Sequence, residues 1–324
     1  MKSSFSDSLK EQTLLNKRYF IKGFLGSGIS SEVFKCLDNQ TGLMKAAKIY
    51  FDNRRKEFKK ETKMNKIISE INSPYLLRCY ESGIGLLSKK GKNYEKKRYA
   101  ILELGNHGSL FGALIKTESG FSEDVCKYTF LKILNGVENL HKNGICHRDI
   151  KSENIVLVGD NYEIKLCDFG YSTKFIKNNQ KKKLKNTIGT PYYKAPEILE
   201  NKEYDGDKID IFSIGALLFV LMTKKFAFIE ARPSGLYNLI KEKKYDDYWD
   251  QLQNFHNIVI NSEKFKNLFL RMVAYIPEER PTIEQIKNDE WLQDIINSTP
   301  EQISHLKNKM ISEINILYNV SNNF

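Results

Sequence analysis

The segment HRDIKSEN, His147 to Asn154, sets a carboxylate, a lysine and a carboxamide within one short loop, and Asp168 follows Asp149 by 19 residues in the tripeptide DFG. These residue types suit the transfer of a charged group to a hydroxyl. Asp149 can accept the proton of the attacking hydroxyl, and Lys151 brings positive charge two residues along. Asn154 and Asp168 offer hard oxygen ligands for a small divalent cation. Upstream, LGSGISSEVFK (Leu25 to Lys35) carries Gly26 and Gly28 one residue apart, then Ser31 where a phosphate-cradling hairpin would usually carry a third glycine. Glycines in such a hairpin let backbone N–H groups approach phosphate without a Cβ in the way and permit positive φ. Read singly, HRD is a surface turn and DFG a turn with a capping aspartate. Together, at this spacing and behind the glycine hairpin and Lys48 in AAK, they are specific.

The constellation resembles the signature set of the eukaryotic protein kinases, in the right order, over roughly residues 19–292. The resemblance implies an α+β, bilobal protein-kinase-like fold: a small antiparallel-sheet N-lobe with one main helix (19–104), then a hinge and a larger, mainly helical C-lobe (105–292). A polar N-terminal extension (1–18) would precede it and a partly helical tail (293–324) would follow. It implies a serine/threonine protein kinase that moves the γ-phosphoryl of ATP, held with Mg2+ (or Mn2+ in its place), to a protein hydroxyl.

By the same resemblance Asp149 is the base, with Lys151, Asn154 and Thr190 beside it, and Asn154 and Asp168 hold the metal. Leu25, Gly26, Ser27 and Gly28 cover the nucleotide, Lys48 holds its α- and β-phosphates, and Val33 and Ala46 roof the adenine. Leu102 is the gatekeeper, Glu103 and Gly105 offer backbone groups to the adenine edge, and Val156 contributes to the floor. Lys48 should pair with a glutamate on the following helix. Glu61 fits the pattern F-x-x-E from Phe58, but the apolar register leading to Ser73-Pro74 would set Met64 at that position, and Glu57 is the alternative.

GTPYYKAPE (189–197) and Lys151 look like the serine/threonine branch. Glu197 should pair with Arg280, and Asp210 in DIFSIG should brace the catalytic loop. Arg148 suggests a basic pocket for a phosphate on the activation segment, yet the usual phosphoacceptor position holds Asn186, which leaves Thr187, one place later, as the candidate for an upstream kinase or autophosphorylation. Ser31, Phe212 in place of the usual tryptophan and Ala227 in place of the usual proline depart from the family pattern. A pseudokinase scaffold and a small-molecule kinase are the rival readings; the latter normally lacks a GTPYYKAPE segment.

These residues need a scaffold, and the composition allows one. The chain has 324 residues, 41% of them hydrophobic and 28% charged, enough for one large domain or two lobes. From Tyr19 to about Leu104 the pattern is strand-like, interrupted by one helix from about Asn53 to Ile71 with an apolar stripe at Met64, Ile67, Ile68 and Ile71. Helical patterns then dominate at 122–143, 207–223, 263–273 and 282–292, and Ile303, Leu306, Met310, Ile314 and Leu317 predict an amphipathic helix over 299–320. The change of character near LGNHG (104–108) places the hinge.

Lys and Arg number 51 against 40 Asp and Glu, a net charge of +11. Much of the excess lies in 88–98 and 174–185, which read as solvated loops. No recognition helix, zinc-finger spacing or aromatic-rich basic strand accompanies them, so a protein substrate is expected and nucleic acid is not. The five cysteines show no C-x-x-C pair and read as reduced packing residues. No apolar run reaches the roughly 18 residues of a membrane span, and neither Lys2 nor the terminal SNNF offers a lipid site, so a cytoplasmic or nuclear protein without a membrane anchor is expected.

Overall fold

The computed structural model describes residues 13–89, 92–178, 180–232 and 235–321, in two compact units that divide between Asn106 and His107. The first is built from β1 (Thr13–Leu15), β2 (Tyr19–Ser27), β3 (Ser31–Asp38), β4 (Met44–Tyr50), α1 (Arg55–Ile71), β5 (Cys79–Lys89) and β6 (Lys92–Leu102). Its six strands form a closed antiparallel barrel of order β1-β2-β3-β4-β6-β5. Strand alternation sends Phe34, Cys36, Ala47, Ile49, Tyr99 and Ile101 to a common core with Leu15, Tyr19, Ile21 and Leu87. Helix α1 stops where Asn72 takes the left-handed conformation (φ 52°), two residues before Pro74.

Two sequence expectations change here. The stretch 1–18, read as a polar extension, also supplies β1, and Leu15 is fully buried opposite Leu87; residues 1–12 lie outside the described residues. The stretch 88–98, read as a solvated loop, belongs largely to the paired end of β5 and β6. Glu95 and Lys96 stay exposed while the backbone is paired, and Lys97 turns in to ion pairs with Asp52 (3.0 Å) and Glu95 (3.2 Å).

A buried carboxylate fastens the start of the barrel. Asp38 accepts from Arg18 Nε (2.8 Å) and Nη2 (2.9 Å), from Lys45 Nζ (2.7 Å) and from Thr41 Oγ1 (3.0 Å). Arg18 also reaches Glu81, which accepts from the Tyr99 hydroxyl at 2.7 Å. A forked guanidinium matched to a carboxylate in this way is a strong charge-assisted contact.

The second unit contains α2 (Leu110–Ile115), α3 (Glu123–Lys142), β7 (Ile145–Cys146), β8 (Ile155–Val158), β9 (Glu163–Leu166), β10 (Thr173–Lys174), β11 (Ile176–Lys177) and β12 (Gln180–Lys181). There follow α4 (Pro196–Leu199), α5 (Gly206–Thr223), α6 (Leu236–Lys241), α7 (Tyr245–His256), α8 (Glu263–Met272), α9 (Ile283–Lys287), α10 (Gln293–Ile296) and α11 (Pro300–Ser321). Helix α5 is its axis: every residue from Ile209 to Leu221 is buried. Short two-stranded ladders β7–β10, β8–β9 and β11–β12 accompany the helices.

The helix expected over 282–292 is broken. A Thr282–Gln285 capping box opens α9, the Asp289 carboxylate then accepts the Trp291 N–H at 2.9 Å, and α10 starts afresh. Within 174–185, read as loop, β11 pairs with β12. Helices α6 and α7 were not apparent in the sequence. The tail helix α11 packs on its own unit, with Met310 and Ile314 buried, Ile303 and Leu306 half-buried, and the side chain of Leu317 outside the described residues. Its Glu313 accepts from Ser122 N (3.0 Å) and Oγ (2.5 Å), capping the start of α3.

Arg18 holds the Asp38 carboxyl well below the usual carboxylate range. A carboxyl lowered on folding contributes stability above its unfolded pKa, near 4, and loses it as pH falls through the lowered folded value. Asp38→Asn should therefore cost about 2–4 kcal/mol in urea unfolding at neutral pH. The deficit should persist down to about pH 4 and shrink only below it. A deficit that disappears between pH 7 and pH 5 would contradict the assignment.

Candidate functional site

Sheet register lines up the N-terminal unit's candidates. Gly26 pairs with Val33, Val33 with Lys48, and Ala46 with Leu102. Paired residues share a face, and residues two apart return to it, so Val33, Ala46, Lys48 and Leu102 stand on the face opposite Phe34, Ala47, Ile49 and Ile101. Lys48 Nζ lies 2.6 Å from Glu61 Oε1, with both side chains buried (9% and 4% exposed). The contact ties a strand of the sheet to α1.

The register question at α1 resolves through helix pitch. Glu61, Met64, Asn65 and Ile68 form the buried stripe at three- and four-residue steps, so Met64 and Glu61 share a face. Glu57 instead sits at the surface, 3.0 Å from Arg54.

In the glycine hairpin neither Gly26 nor Gly28 has positive φ. A Cβ at Gly26 would meet nothing within 4 Å, and one at Gly28 would lie 3.8 Å from Ser31 O. The missing side chains leave open space rather than permit an unusual backbone, which corrects part of the expectation. Ser31 is a buried β3 residue whose carbonyl accepts the Gly28 N–H at 2.8 Å, a position where a small side chain fits. Leu25, Ser27 and Gly28 are exposed; Leu102, Glu103 and Gly105 are half-buried. Glu103 gives its N–H to Arg78 O at 2.8 Å.

In the C-terminal unit the loop after β7 is built on Asp210. This fully buried carboxylate accepts the N–H groups of His147 (Oδ2, 2.8 Å) and Arg148 (Oδ1, 2.8 Å), and His141 Nε2 lies 2.9 Å from Oδ2. Arg148 is thereby held at φ +70°, a left-handed conformation unfavourable for a side chain of its size. The next residue, Asp149, accepts from Thr190 Oγ1 through Oδ1 (2.8 Å) and from Asn154 Nδ2 through Oδ2 (3.0 Å). Lys151 Nζ donates to Thr190 Oγ1 at 2.8 Å and lies 3.3 Å from Asp149 Oδ2. Carboxylate, ammonium, hydroxyl and amide thus form one closed network.

Thr190 reaches this network because Gly189, at φ +93°, passes the Arg148 carbonyl so closely that a Cβ there would lie 2.8 Å from it. Glu197 and Arg280 fix the far side of the same segment through a bidentate pair (2.7 and 2.8 Å), with the Arg280 side chain wholly buried. Val156 sits half-buried on β8, bridged to Ser109. Nothing in the sequence singled out His141, in the last turn of α3, or Tyr204, bridged to Leu184 just before α5, as partners of this loop and of Asp210 beneath it.

The donors fit a hard divalent cation. The Asn154 amide nitrogen is committed to Asp149 O (2.8 Å) and Oδ2, which orients its amide oxygen away from that carboxylate. Asn154 O accepts the N–H of Cys167 at 2.9 Å, anchoring the residue before Asp168, and Asp168 is exposed at φ +59°. No group of three or more His, Cys, Asp or Glu gathers among the described residues. One amide and one carboxylate suit magnesium, which completes its shell with phosphates and water.

A family model described as protein kinase domain matches residues 19–292. The human SNF-related serine/threonine-protein kinase is 37% identical over 225 residues, covering 69% of this chain and 26% of that protein. Serine/threonine-protein kinase SRK2C of Arabidopsis thaliana is 36% identical over 193 residues, 59% of this chain and 54% of the relative. Probable serine/threonine-protein kinase fhkC of Dictyostelium discoideum is 29% identical over 308 residues, 92% of this chain and 49% of the relative. The chain thus spans about a quarter to a half of the length of these relatives.

An asparagine at 210 keeps the shape of Asp210 but presents only one oxygen to two buried N–H groups. Asp210→Asn should cost about 2–3 kcal/mol in urea unfolding, the penalty of an unsatisfied buried donor. A change within about 0.5 kcal/mol, the range of an ordinary surface substitution, would refute the bracing role.

Proposed function

This chain belongs to the eukaryotic protein kinase superfamily, on its serine/threonine branch, and on that premise we propose that it transfers the γ-phosphoryl group of Mg-ATP to a protein serine or threonine hydroxyl. The observation that carries the reading is the Asp149–Thr190–Lys151 network, a carboxylate oriented by two neutral donors with an ammonium beside it. In this reading Asp149 accepts the proton of the incoming hydroxyl, which displaces Thr190 from Oδ1 or shares that oxygen with it. Lys151 faces the charge that develops on the transferring group. A protein acceptor accords with the segment from Gly189 to Glu197, which brings Thr190 to the base and is itself fixed by Glu197–Arg280.

Lys48, kept in place by Glu61, would hold the α- and β-phosphates, and Val33 and Ala46 would cover the adenine from the same sheet face. Gly26, Ser27 and Gly28 would approach the phosphates, with Leu25 at the mouth. Leu102, the Glu103 carbonyl and Gly105 would meet the adenine edge, and Val156 its underside. Asn154 and Asp168 would hold magnesium, or manganese in its place. Bound magnesium supplies charge neutralisation on the phosphate oxygens. Thr187, whose exposed hydroxyl donates to Asn201 Oδ1 at 2.7 Å, is the candidate for modification by an upstream kinase or by autophosphorylation. No helix of the described residues is long and apolar enough to cross a membrane. We place the protein's work in the cytoplasm or nucleus.

Incubated with labelled ATP, magnesium and generic protein acceptors, the protein should label serine and threonine. Asp168→Ala and Asp149→Asn should each reduce labelling by about a thousandfold or more. Glu61→Gln should lower turnover about tenfold or more by releasing Lys48. Labelling equal in wild type and Asp168→Ala would mean a contaminating kinase, and labelling in neither would leave a kinase-shaped scaffold.

A further inference from the structure

Arg148 was expected to await a phosphate, but its side chain is only 6% exposed and already partnered. Its Nε donates to Tyr171 O at 2.8 Å, directly after the DFG tripeptide, and its Nη1 donates to the Tyr204 hydroxyl at 3.3 Å. That hydroxyl donates onward to Asn186 O at 2.8 Å. A phenol both accepts and donates, so it can join a guanidinium to a carbonyl, which a phosphate or a carboxylate could not do. Asn186 is the position where the family pattern sets its phosphoacceptor.

The rest of the segment is held in the same manner. Leu184 and Tyr204 exchange both backbone hydrogen bonds at 2.8 Å. Lys181 and Lys183 form ion pairs with Asp207 (2.5 Å) and Asp205 (2.8 Å) at the start of α5, so two charges of the basic run are answered within the chain. The Lys182 N–H donates to Phe175 O at 2.7 Å. Thr187, the only threonine between Asn186 and Gly189, points its hydroxyl to Asn201 rather than to Arg148.

We propose that the Tyr204 hydroxyl is a positioning residue that takes the place of an activation-segment phosphate, so that the segment is ordered and the kinase competent without phosphorylation. The proposal rests on the kinase reading above. It follows from what the relay connects. Arg148 joins the start of the segment, at Tyr171, to its end, at Asn186, and four residues beyond Asn186 the Thr190 hydroxyl bonds Asp149 and Lys151. Removing one oxygen atom from Tyr204 leaves Arg148 and Asn186 O unjoined while the ring, 2% exposed, keeps its packing. The loss should fall on the placement of Thr190 and the acceptor, not on ATP binding by Lys48.

The test compares wild type, Tyr204→Phe and Thr187→Ala, each phosphatase-treated and verified phosphate-free by mass spectrometry, before the first turnovers. Wild type and Thr187→Ala should phosphorylate a peptide acceptor at equal initial rates. Tyr204→Phe should lose about ten- to a hundredfold in kcat, the worth of a charge-assisted hydrogen bond, with KM for ATP within about twofold. Hydrogen exchange reads the same point without catalysis: the amides of Lys182 and Leu184 should be protected in phosphate-free wild type and exchange faster in Tyr204→Phe, while those of α5 beyond its first turn stay unchanged. Exchange is informative even if no variant has activity, an outcome that sinks the kinase reading alone. Activity that vanishes on phosphatase treatment, or Tyr204→Phe indistinguishable from wild type in both rate and exchange, would overturn the relay.

Discussion

The C-terminal unit turns on one buried carboxylate receiving two consecutive backbone N–H groups. Asp210 belongs to a helix buried on all sides, so its position is set by packing that has nothing to do with chemistry. Because it accepts from both His147 and Arg148, it holds Arg148 at a positive φ that an arginine would otherwise avoid. That twist sends the Arg148 side chain toward Tyr171 and Tyr204 and leaves the next residue, Asp149, beside Asn154 and Thr190. The energy stored in the loop is offset by hydrogen bonds from the rigid helix beneath it.

Three buried ionic groups follow the same rule and differ in what they fasten. Lys48–Glu61 joins a strand to α1, Arg280–Glu197 joins the segment after Gly189 to the loop before α9, and Asp38 joins Arg18 to Lys45 across the barrel's first turns. Attraction in a dry interior barely exceeds the desolvation of the two charges, so such pairs add little net stability when intact. Losing one partner is costly, however, because the other is left charged and unpaired. Their value is therefore geometric: each admits one arrangement of two chain segments and penalises the others.

The basic excess also has a structural share. Lys97 is drawn in by Asp52 and Glu95, and Lys181 and Lys183 answer acids at the start of α5, so stretches that look like solvated charge in one dimension fasten strands and the activation segment in three.

Residue type and order by themselves determined the family and the antiparallel-then-helical division near residues 104–108, because glycine hairpins, apolar periods and charged motifs are local signals. The helix from Arg55 to Ile71 and the tail helix were legible for the same reason, as stripes of period 3.6. Only the tertiary structure decided that Glu61 and not Glu57 meets Lys48, since both lie near the start of one helix and differ by which face the sheet covers. It alone closed the barrel with Thr13–Leu15, whose partner strand lies some seventy residues away. It alone brought Tyr204 to Arg148 and Asp210 to His141, because a hydrogen bond between residues far apart in the chain leaves no periodicity for a sequence to display.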